Sequence, residues 1–237
     1  MMADLIKHFS NNTVNTTIVI VGVGDTLADL FTEHESIARC CAQIEMPRMS
    51  HDELADILDE RLPKLNISID SKVRENIIRL SQGLPGYVHL LGQLVVQAAI
   101  SAKSLNVRDR QLQDALTEAL DKADRSTRLD YYKAVESPAH DHKYKEALLA
   151  CALAQTNELG MFFAGSVREP YSKIRGRPMG IENFATHLNE FCSEDRGPAL
   201  LKSGKRKRYQ YRFANPLLQP LVVMMGVRDD MIAVDEA

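Results

Sequence analysis

Several features that would assign a function at once are missing from the chain. No Gly-x-x-x-x-Gly-Lys-Ser/Thr string occurs in its 237 residues, so they encode no phosphate-binding P-loop. No apolar run approaches the roughly 20 residues that a membrane helix needs. The first residues also lack the basic start and long apolar stretch of a signal peptide. We therefore expect a cytoplasmic protein without a membrane contact.

Cysteine is scarce and is poorly placed for metal binding. Cys40, Cys41, Cys151 and Cys192 form no Cys-x-x-Cys pair, and the histidines do not stand at ligand spacing beside them. This pattern predicts reduced thiols and no metal site. The net charge of −3 names no partner by itself, so any charged partner must be inferred from local clusters.

The opening segment indicates a strand. Thr16–Val21 is a nearly continuous apolar run rich in β-branched residues, which is typical of a strand buried on both faces of a parallel sheet. Gln43–Met46 is the only other short strand candidate nearby. Two strands cannot bury both faces of a sheet, so residues 1–49, with a helix over residues 3–10, are interpreted as part of a larger α/β core.

From residue 50 the apolar spacing becomes helical and predicts a bundle of four amphipathic helices over residues 50–123. Ser50 and Glu53 form an S-x-x-E capping box at its start. A second helix runs over about residues 71–82, a third begins near Gly86, and Asp109 is expected to cap the fourth.

The C-terminal half has a different order of elements. Residues 124–142 are polar and predict a partly helical linker. Residues 143–225 then read as helices, with one continuous helix over Ile181–Cys192, followed by two short strands with a basic turn between them. That order favours a winged-helix domain, and the acidic residues 226–237 predict a frayed tail. The expected fold class is mainly α with small β elements: a partial α/β core, a helical bundle and a C-terminal winged-helix domain.

The basic turn is the strongest local charge signal. From Arg196 to Arg212 there are seven Lys or Arg residues and no Asp or Glu. Cations on a projecting loop neutralise phosphates and release counterions, while Asn and His on the preceding helix are types that contact base edges. The candidate residues for duplex DNA are Lys205, Arg206, Lys207, Arg208, Arg212, Asn183 and His187. A solvated turn, or docking to an acidic protein surface, remains an alternative.

The segment GVGDTLADLFTEHESIARCCAQIEMPRMSHDELADIL carries a family resemblance. Its order is a Gly-x-x-polar turn after the strand, a helix with an arginine near its end, a short strand, a proline and S-x-x-E-L-x-x-I-L. This order resembles the later half of an AAA+ ATPase core, of the initiator-like, transposition-regulator-like or STAND-like branches. The resemblance extends to residues 50–123 as the helical lid and to residues 143–225 as the appended winged helix.

The resemblance also implies roles for three residues. Asp25 stands at the sensor 1 position, where Asn or Thr is usual. Arg39 stands where the family places the arginine finger, which acts on the nucleotide of a neighbouring subunit. Gly86, in Gly83-Leu84-Pro85-Gly86, stands at the sensor 2 position and replaces the arginine that is common there.

The intact protein would accordingly bind ATP and Mg²⁺, form an oligomer with neighbouring AAA+ subunits, and drive DNA-associated assembly or remodelling. The family's Walker A and Walker B segments should precede the opening strand, so we expect either a C-terminal fragment or a partner segment that supplies them. Such a chain would not hydrolyse ATP alone. The alternatives are a non-enzymatic winged-helix DNA-binding adaptor or regulator, and part of a STAND-type signalling or defence ATPase whose basic wing contacts protein.

Overall fold

The structure is a computed structural model that describes residues 2–12, 15–21, 42, 44, 46–136, 143–205 and 208–237. It divides into two units, Met1–Met46 and Pro47–Ala237. The described part is mainly helical with two small sheets, as predicted. Its helices are α1 (Met2–Asn11), α2 (His51–Asp59), α3 (Ser71–Leu80), α4 (Pro85–Ser101), α5 (Asp109–Lys122), α6 (Arg125–Val135), α7 (Lys143–Ala152), α8 (Ala164–Ile174), α9 (Ala185–Glu190) and α10 (Leu218–Arg228). Its strands are β1 (Ser68–Ile69), β2 (Asn106–Val107), β3 (Phe162–Phe163), β4 (Leu200–Ser203) and β5 (Gln210–Phe213).

In the first unit, the helix predicted over residues 3–10 is confirmed as α1. The predicted buried strand is wrong for residues 16–21, which are neither helix nor strand. Val19 and Val21 are 81% and 92% exposed. A strand exists only where a neighbouring strand supplies hydrogen bonds, and no described residue supplies them here. A β-branched apolar run is therefore left facing solvent.

The second predicted strand, Gln43–Met46, is not observed either. Of these residues the structure describes 44 and 46, which lie outside any strand, and both Ile44 and Met46 are more than 80% exposed. The parallel pairing that the structure does contain is elsewhere: β1 pairs with β2 at Ser68–Asn106 and Ile69–Val107. A two-residue pair gives too short a pattern to be predicted from the sequence.

The capping box before α2 is confirmed. The Ser50 amide donates to Glu53 Oε2 at 2.8 Å, while the Glu53 amide donates to Ser50 Oγ at 3.4 Å. For α5, however, the predicted cap is wrong by one position, because the helix begins at Asp109 itself. The Gln111 side chain accepts a hydrogen bond from the Arg108 amide at 2.9 Å and so satisfies the N-terminus instead.

The polar segment expected to be a linker contains α6. Asp124 caps this helix by accepting hydrogen bonds from the Ser126 and Thr127 amides. On the inner face of α6, Tyr131 and Ala134 are buried in the same hydrophobic cluster that contains the other helices of the Pro47–Ala237 unit. The chain around residues 125–135 is therefore packed structure rather than a solvated connection.

The predicted hairpin is confirmed as β4 and β5, and β3 completes a three-stranded antiparallel sheet in the order β3-β5-β4. The single helix predicted over Ile181–Cys192 is wrong: a 3-10 turn, Ile181–Asn183, is separated from α9 by Phe184. Phe184 is buried against Tyr171, with ring centroids 5.3 Å apart, in a backbone conformation (φ −130°, ψ −2°) that interrupts the α-helix.

The C-terminal end is packed rather than frayed. Helix α10 is buried from Leu218 to Val227, and Met231 and Ile232 continue the packing beyond it. The last residues contact α3, where Lys72 Nζ lies 3.2 Å from Asp235 Oδ2. Arg79 Nη1 also donates to the Asp235 carbonyl oxygen at 2.8 Å. An apolar run, residues 231–234, lies between two acidic pairs in this tail, so it can pack while the acidic residues face Lys72 and Arg79.

A partly buried arginine joins three distant parts of the larger unit. Arg48 Nη1 donates to the Gln82 carbonyl oxygen, and Nη2 donates to Gln219 Oε1 at 2.7 Å. The Gln219 amide in turn donates to the Ala152 carbonyl oxygen at 2.7 Å. Burial lowers the pKa of Arg48. No carboxylate of the described residues is paired with it, so these amide oxygens carry its solvation.

The charge pair between α2 and α3 predicts a pH-dependent stability. His51 Nε2 lies 2.6 Å from Glu75 Oε2, and hydrogen bonds to Glu75 and then Asp52 raise the pKa of His51 above 6.5. The same bond lowers the pKa of Glu75 below 4.5. A histidine whose pKa is raised on folding stabilises the folded state below its unfolded pKa, and this stabilisation is lost as the pH rises through its folded pKa. A glutamate whose pKa is lowered on folding stabilises the folded state above its unfolded pKa, and this stabilisation is lost as the pH falls through its folded pKa.

The stabilisation is therefore largest between the two unfolded values, 4.5 and 6.5. We expect His51→Gln to lower the free energy of urea unfolding more at about pH 5.5 than at about pH 8. Arg61→Gln, at an exposed position just after the same helix, serves as the control and should show no such difference. Equal losses for His51→Gln at both pH values would contradict the assignment.

Candidate nucleic-acid interface

Of the three residues predicted to act on a nucleotide, the structure describes one, Gly86. Asp25 and Arg39 lie outside the described residues. Gly86 is exposed in the first turn of α4, directly after Pro85, and a Cβ built there would have no heavy atom within 4 Å. The position could hold an arginine sterically but lacks one.

The basic turn lies at the end of the β4–β5 hairpin. Lys205 and Arg208 are exposed, while Arg206 and Lys207 lie outside the described residues. The Arg208 amide donates to the Lys205 carbonyl oxygen at 2.8 Å, which closes the turn. Gly204 has a φ of +92°, and a Cβ there would stand 2.7 Å from the Arg208 carbonyl oxygen. The turn thus requires glycine at position 204 and presents Lys205 and Arg208 to solvent.

Lys202 connects this hairpin to the preceding helix. Its Nζ donates to Asn189 Oδ1 on α9 at 3.0 Å and lies 4.0 Å from the centroid of the Tyr209 ring. The hydrogen bond and the cation–π contact place the side of α9 that carries Asn189 beside the base of the hairpin. Lys202 was not among the predicted site residues. Its pairing opposite Tyr211 is set by strand register, which the sequence alone does not fix.

Asn183 and His187 have different environments. Asn183 is exposed in the 3-10 turn, where its Oδ1 accepts a hydrogen bond from the Gly180 amide at 2.8 Å. His187 is half-buried, and its ring meets the Tyr144 ring edge to face at a centroid distance of 4.8 Å. The structure therefore holds His187 in side-chain packing, whereas Asn183 stands on the surface.

Tyr144 is the centre of a cluster that sequence patterns gave no signal for. The Arg196 guanidinium lies 3.5 Å from the centroid of its ring. Arg196 Nη1 also donates to the carbonyl oxygens of Ala134 and Glu136, at 2.9 and 2.7 Å, at the end of α6. A hydrogen bond with Glu190, together with burial, raises the pKa of Tyr144. These contacts fix α9 against α6 and α7.

Arg212 belongs to a different face of the sheet from Lys202. Leu201 is paired with Arg212, and Lys202 with Tyr211, so alternation along each strand sends Arg212 to the face opposite Lys202. That outer face also carries Phe163 and Leu201, both partly exposed. Arg212 and Lys202 therefore lie on opposite faces of the sheet, while Lys205 and Arg208 are exposed in the turn.

Comparisons with known proteins give only distant structural likenesses. Neither a protein-family model nor a curated protein matches the chain. It is similar to the solved structure of Cdc6p from Pyrobaculum aerophilum, with 13% identity and a TM-score of 0.42 over 98% of this chain and 63% of that one. It is also similar to the Aeropyrum pernix ORC2 protein in ADPNP–ADP complexes, with 14% identity and a TM-score of 0.37 over 86% of this chain and 52% of that one.

The chain thus spans less than two thirds of either solved structure. At these TM-scores the structural likenesses support no argument about function. The argument for a function is therefore made from the residues of this chain. Two further observations apply to the described residues. No group of three or more metal-ligating side chains is found among them. None of their helices combines the length and apolar character needed to cross a membrane.

Proposed function

We propose that the chain contributes the lid and a winged-helix DNA-binding module to a DNA-associated AAA+ assembly. The strings quoted above support the family, and the helical order α2 to α5 supports the lid. The strand expected over residues 16–21 is not observed and gives no support, so the family proposal rests on the string over residues 22–58 and on the helices that follow it. The order α7, β3, α8, α9, β4, turn, β5 supports a winged helix.

One observation carries the DNA-binding part of the proposal. The Lys202–Asn189 hydrogen bond brings α9 and the basic hairpin to one side of the domain, so a helix and a cationic loop are offered together. In such an arrangement the loop neutralises phosphates while polar side chains on the helix side, here Asn183 and Asn189, meet base edges. His187, which is half-buried, is assigned to positioning rather than to direct contact.

A salt titration tests this function. Fluorescence anisotropy of a labelled duplex should report binding that weakens as salt rises. Three phosphate contacts would give a logarithmic slope near −2.7 and a loss of about 40-fold between about 50 and about 200 mM salt. A flat titration, or no binding to duplex DNA at the lower salt concentration, would overturn the proposal.

The nucleotide part predicts inactivity for the isolated chain. Asp25 and Arg39 are proposed as the sensor 1 and arginine-finger positions. They would act together with a segment that carries the Walker motifs, which the 237 residues do not contain. We expect phosphate release from ATP and Mg²⁺ to remain at the level of the protein-free blank, with or without DNA. Turnover above the blank that Arg39→Ala abolishes would show instead that the chain is catalytically complete.

A second candidate is a regulator or STAND-type protein whose basic wing contacts an acidic protein. The partly exposed Phe163 and Leu201 beside Arg212 favour it, because apolar side chains around a cation are common in protein interfaces. The salt titration separates the two proposals, since this second function predicts no affinity for duplex DNA.

A further inference from the structure

A groove between α2 and α4 has a shape that the DNA-binding proposal does not use. Its volume is about 340 Å³. Apolar side chains, including Ile57, Leu62, Leu65 and Val96, form most of its lining, and Arg61 and His89 stand at its rim. Leu65 is 56% exposed although it is a large apolar residue. The groove is therefore an open apolar surface with a basic edge.

Close packing of α2 against α4 creates the groove. Gly92 is buried inside α4, and a Cβ there would lie 2.9 Å from Leu58 Cδ2 on α2. Glycine in a helix interior costs about 1 kcal/mol relative to alanine. Here it lets the backbone of α4 approach α2 and leaves no side chain at its own position to fill the groove. The floor of the groove is therefore formed where α4 approaches α2 at Gly92.

Arg61 has no partner within the described part of the chain, whereas comparable arginines nearby do. Arg74 Nε donates to Asp59 Oδ1 at 2.8 Å, and Arg79 Nε donates to Glu75 Oε1 at 2.9 Å. The Arg61 guanidinium makes neither a hydrogen bond nor an ion pair with any described residue, and only its backbone amide is bonded, to the Leu58 carbonyl oxygen. None of the residues that line the groove is acidic. No carboxylate of the described residues pairs with this guanidinium, so an acidic partner would be complementary in charge to this edge of the groove.

We propose that the α2–α4 groove binds an acidic amphipathic helix of a partner protein. A cavity of about 150 Å³ holds a benzene ring, so a groove more than twice that size accommodates two apolar side chains one helical turn apart. A carboxylate on the same helix pairs with Arg61 at the rim. The groove runs along the side of α4 that faces α2, and a surface between two helices is the setting in which an amphipathic helix docks by its apolar face.

Two labelled peptides test this proposal with the full chain. The first is a helical peptide of roughly 14 residues with leucines at i, i+3 and i+7 and glutamates beside them. The second has lysine in place of every glutamate. The acidic peptide should bind saturably in fluorescence anisotropy, and the basic one should bind at least about tenfold more weakly.

Variants assign the binding to the groove. Arg61→Glu and Leu65→Asp should each weaken binding of the acidic peptide by about tenfold or more, since each removes one of the two proposed contacts. Arg125→Glu makes the same charge change as Arg61→Glu at an exposed position on α6 and should have no effect. Circular dichroism should show unchanged helicity in all three variants.

Three results would overturn the proposal. The first is equal affinity for the acidic and basic peptides, or no saturable binding below about 1 mM. The second is binding that Arg61→Glu and Leu65→Asp leave unchanged. The third is a dimer of the chain, seen in sedimentation, that Leu65→Asp dissociates and the acidic peptide does not compete with, because the groove would then be covered by a second copy.

Discussion

Replacing Lys205 and Arg208 together by glutamine is expected to weaken binding to duplex DNA by about 60-fold at about 0.1 M salt. Each phosphate contact contributes a factor of about eight at that concentration, because the affinity scales with salt to the power of about −0.9 per contact. Both side chains are exposed on a turn closed by their own backbone hydrogen bond, so removing their charge should not disturb the fold.

The salt dependence distinguishes phosphate contacts from a general loss of fold. The slope of log affinity against log salt should become shallower by about two units in the double variant. Lys64→Gln with Arg125→Gln removes the same two charges from exposed positions elsewhere and serves as the matched control. If that control reduces affinity and slope as much as the hairpin variant does, binding depends on overall charge and the hairpin is not the interface.

Lys202 separates positioning from contact at the same site. Lys202→Gln removes the hydrogen bond to Asn189 and the contact with Tyr209, which hold α9 beside the hairpin. A positioning role predicts that discrimination between duplexes of different sequence declines. If Lys202 acted only through its charge, affinity for every duplex would fall by the same factor.

The second large effect is expected at Arg48. Arg48→Ala should lower the free energy of unfolding by about 3 to 4 kcal/mol, because hydrogen bonds to charged groups contribute about 1.5 to 3 kcal/mol each and Gln219 is left buried without one partner. In thermal unfolding this corresponds to roughly 10 °C for a domain of this size. Arg61→Ala, at an exposed arginine without a described partner, should change stability by less than about 0.5 kcal/mol.

A double-mutant cycle tests whether Arg48 acts through the contacts described. Gly160 has a φ of +76°, and a Cβ there would lie 2.7 Å from Arg48 Nε. Gly160→Ala should therefore cost about 2 kcal/mol or more in the wild type, from backbone strain plus this clash. With Arg48→Ala already present, only the strain of about 1 kcal/mol should remain. Strict additivity of the two changes would mean that the guanidinium does not pack against Gly160.

Local pattern predicted much of the helical region. The Ser50–Glu53 capping box, the helix from Ser71 and the basic hairpin all depend on residues close in sequence, and each is observed. The order of helices and strands after residue 143 was likewise available from spacing and turn residues. What local pattern did not reveal is the association of these parts into one unit.

The failures share a physical cause, which is dependence on distant partners. Thr16–Val21 has the composition of a strand, but composition cannot supply the neighbouring strand that a ladder requires. The composition of the acidic tail predicts fraying, because it gives no sign that Lys72 and Arg79 on α3 lie beside the tail. Lys202 and Tyr144 became site residues only when register and packing located Asn189 and Arg196.

The packing of helix α10 has a practical consequence for expressing residues 143–237 on their own. It is buried on nearly every side and packs against α3, α5 and α6 as well as against α7. Excising residues 143–237 as a minimal module would strip away the first three of these neighbours and bare Leu221, Met224 and Met225 to water or to other molecules. Such a truncated protein should clump rather than stay monodisperse.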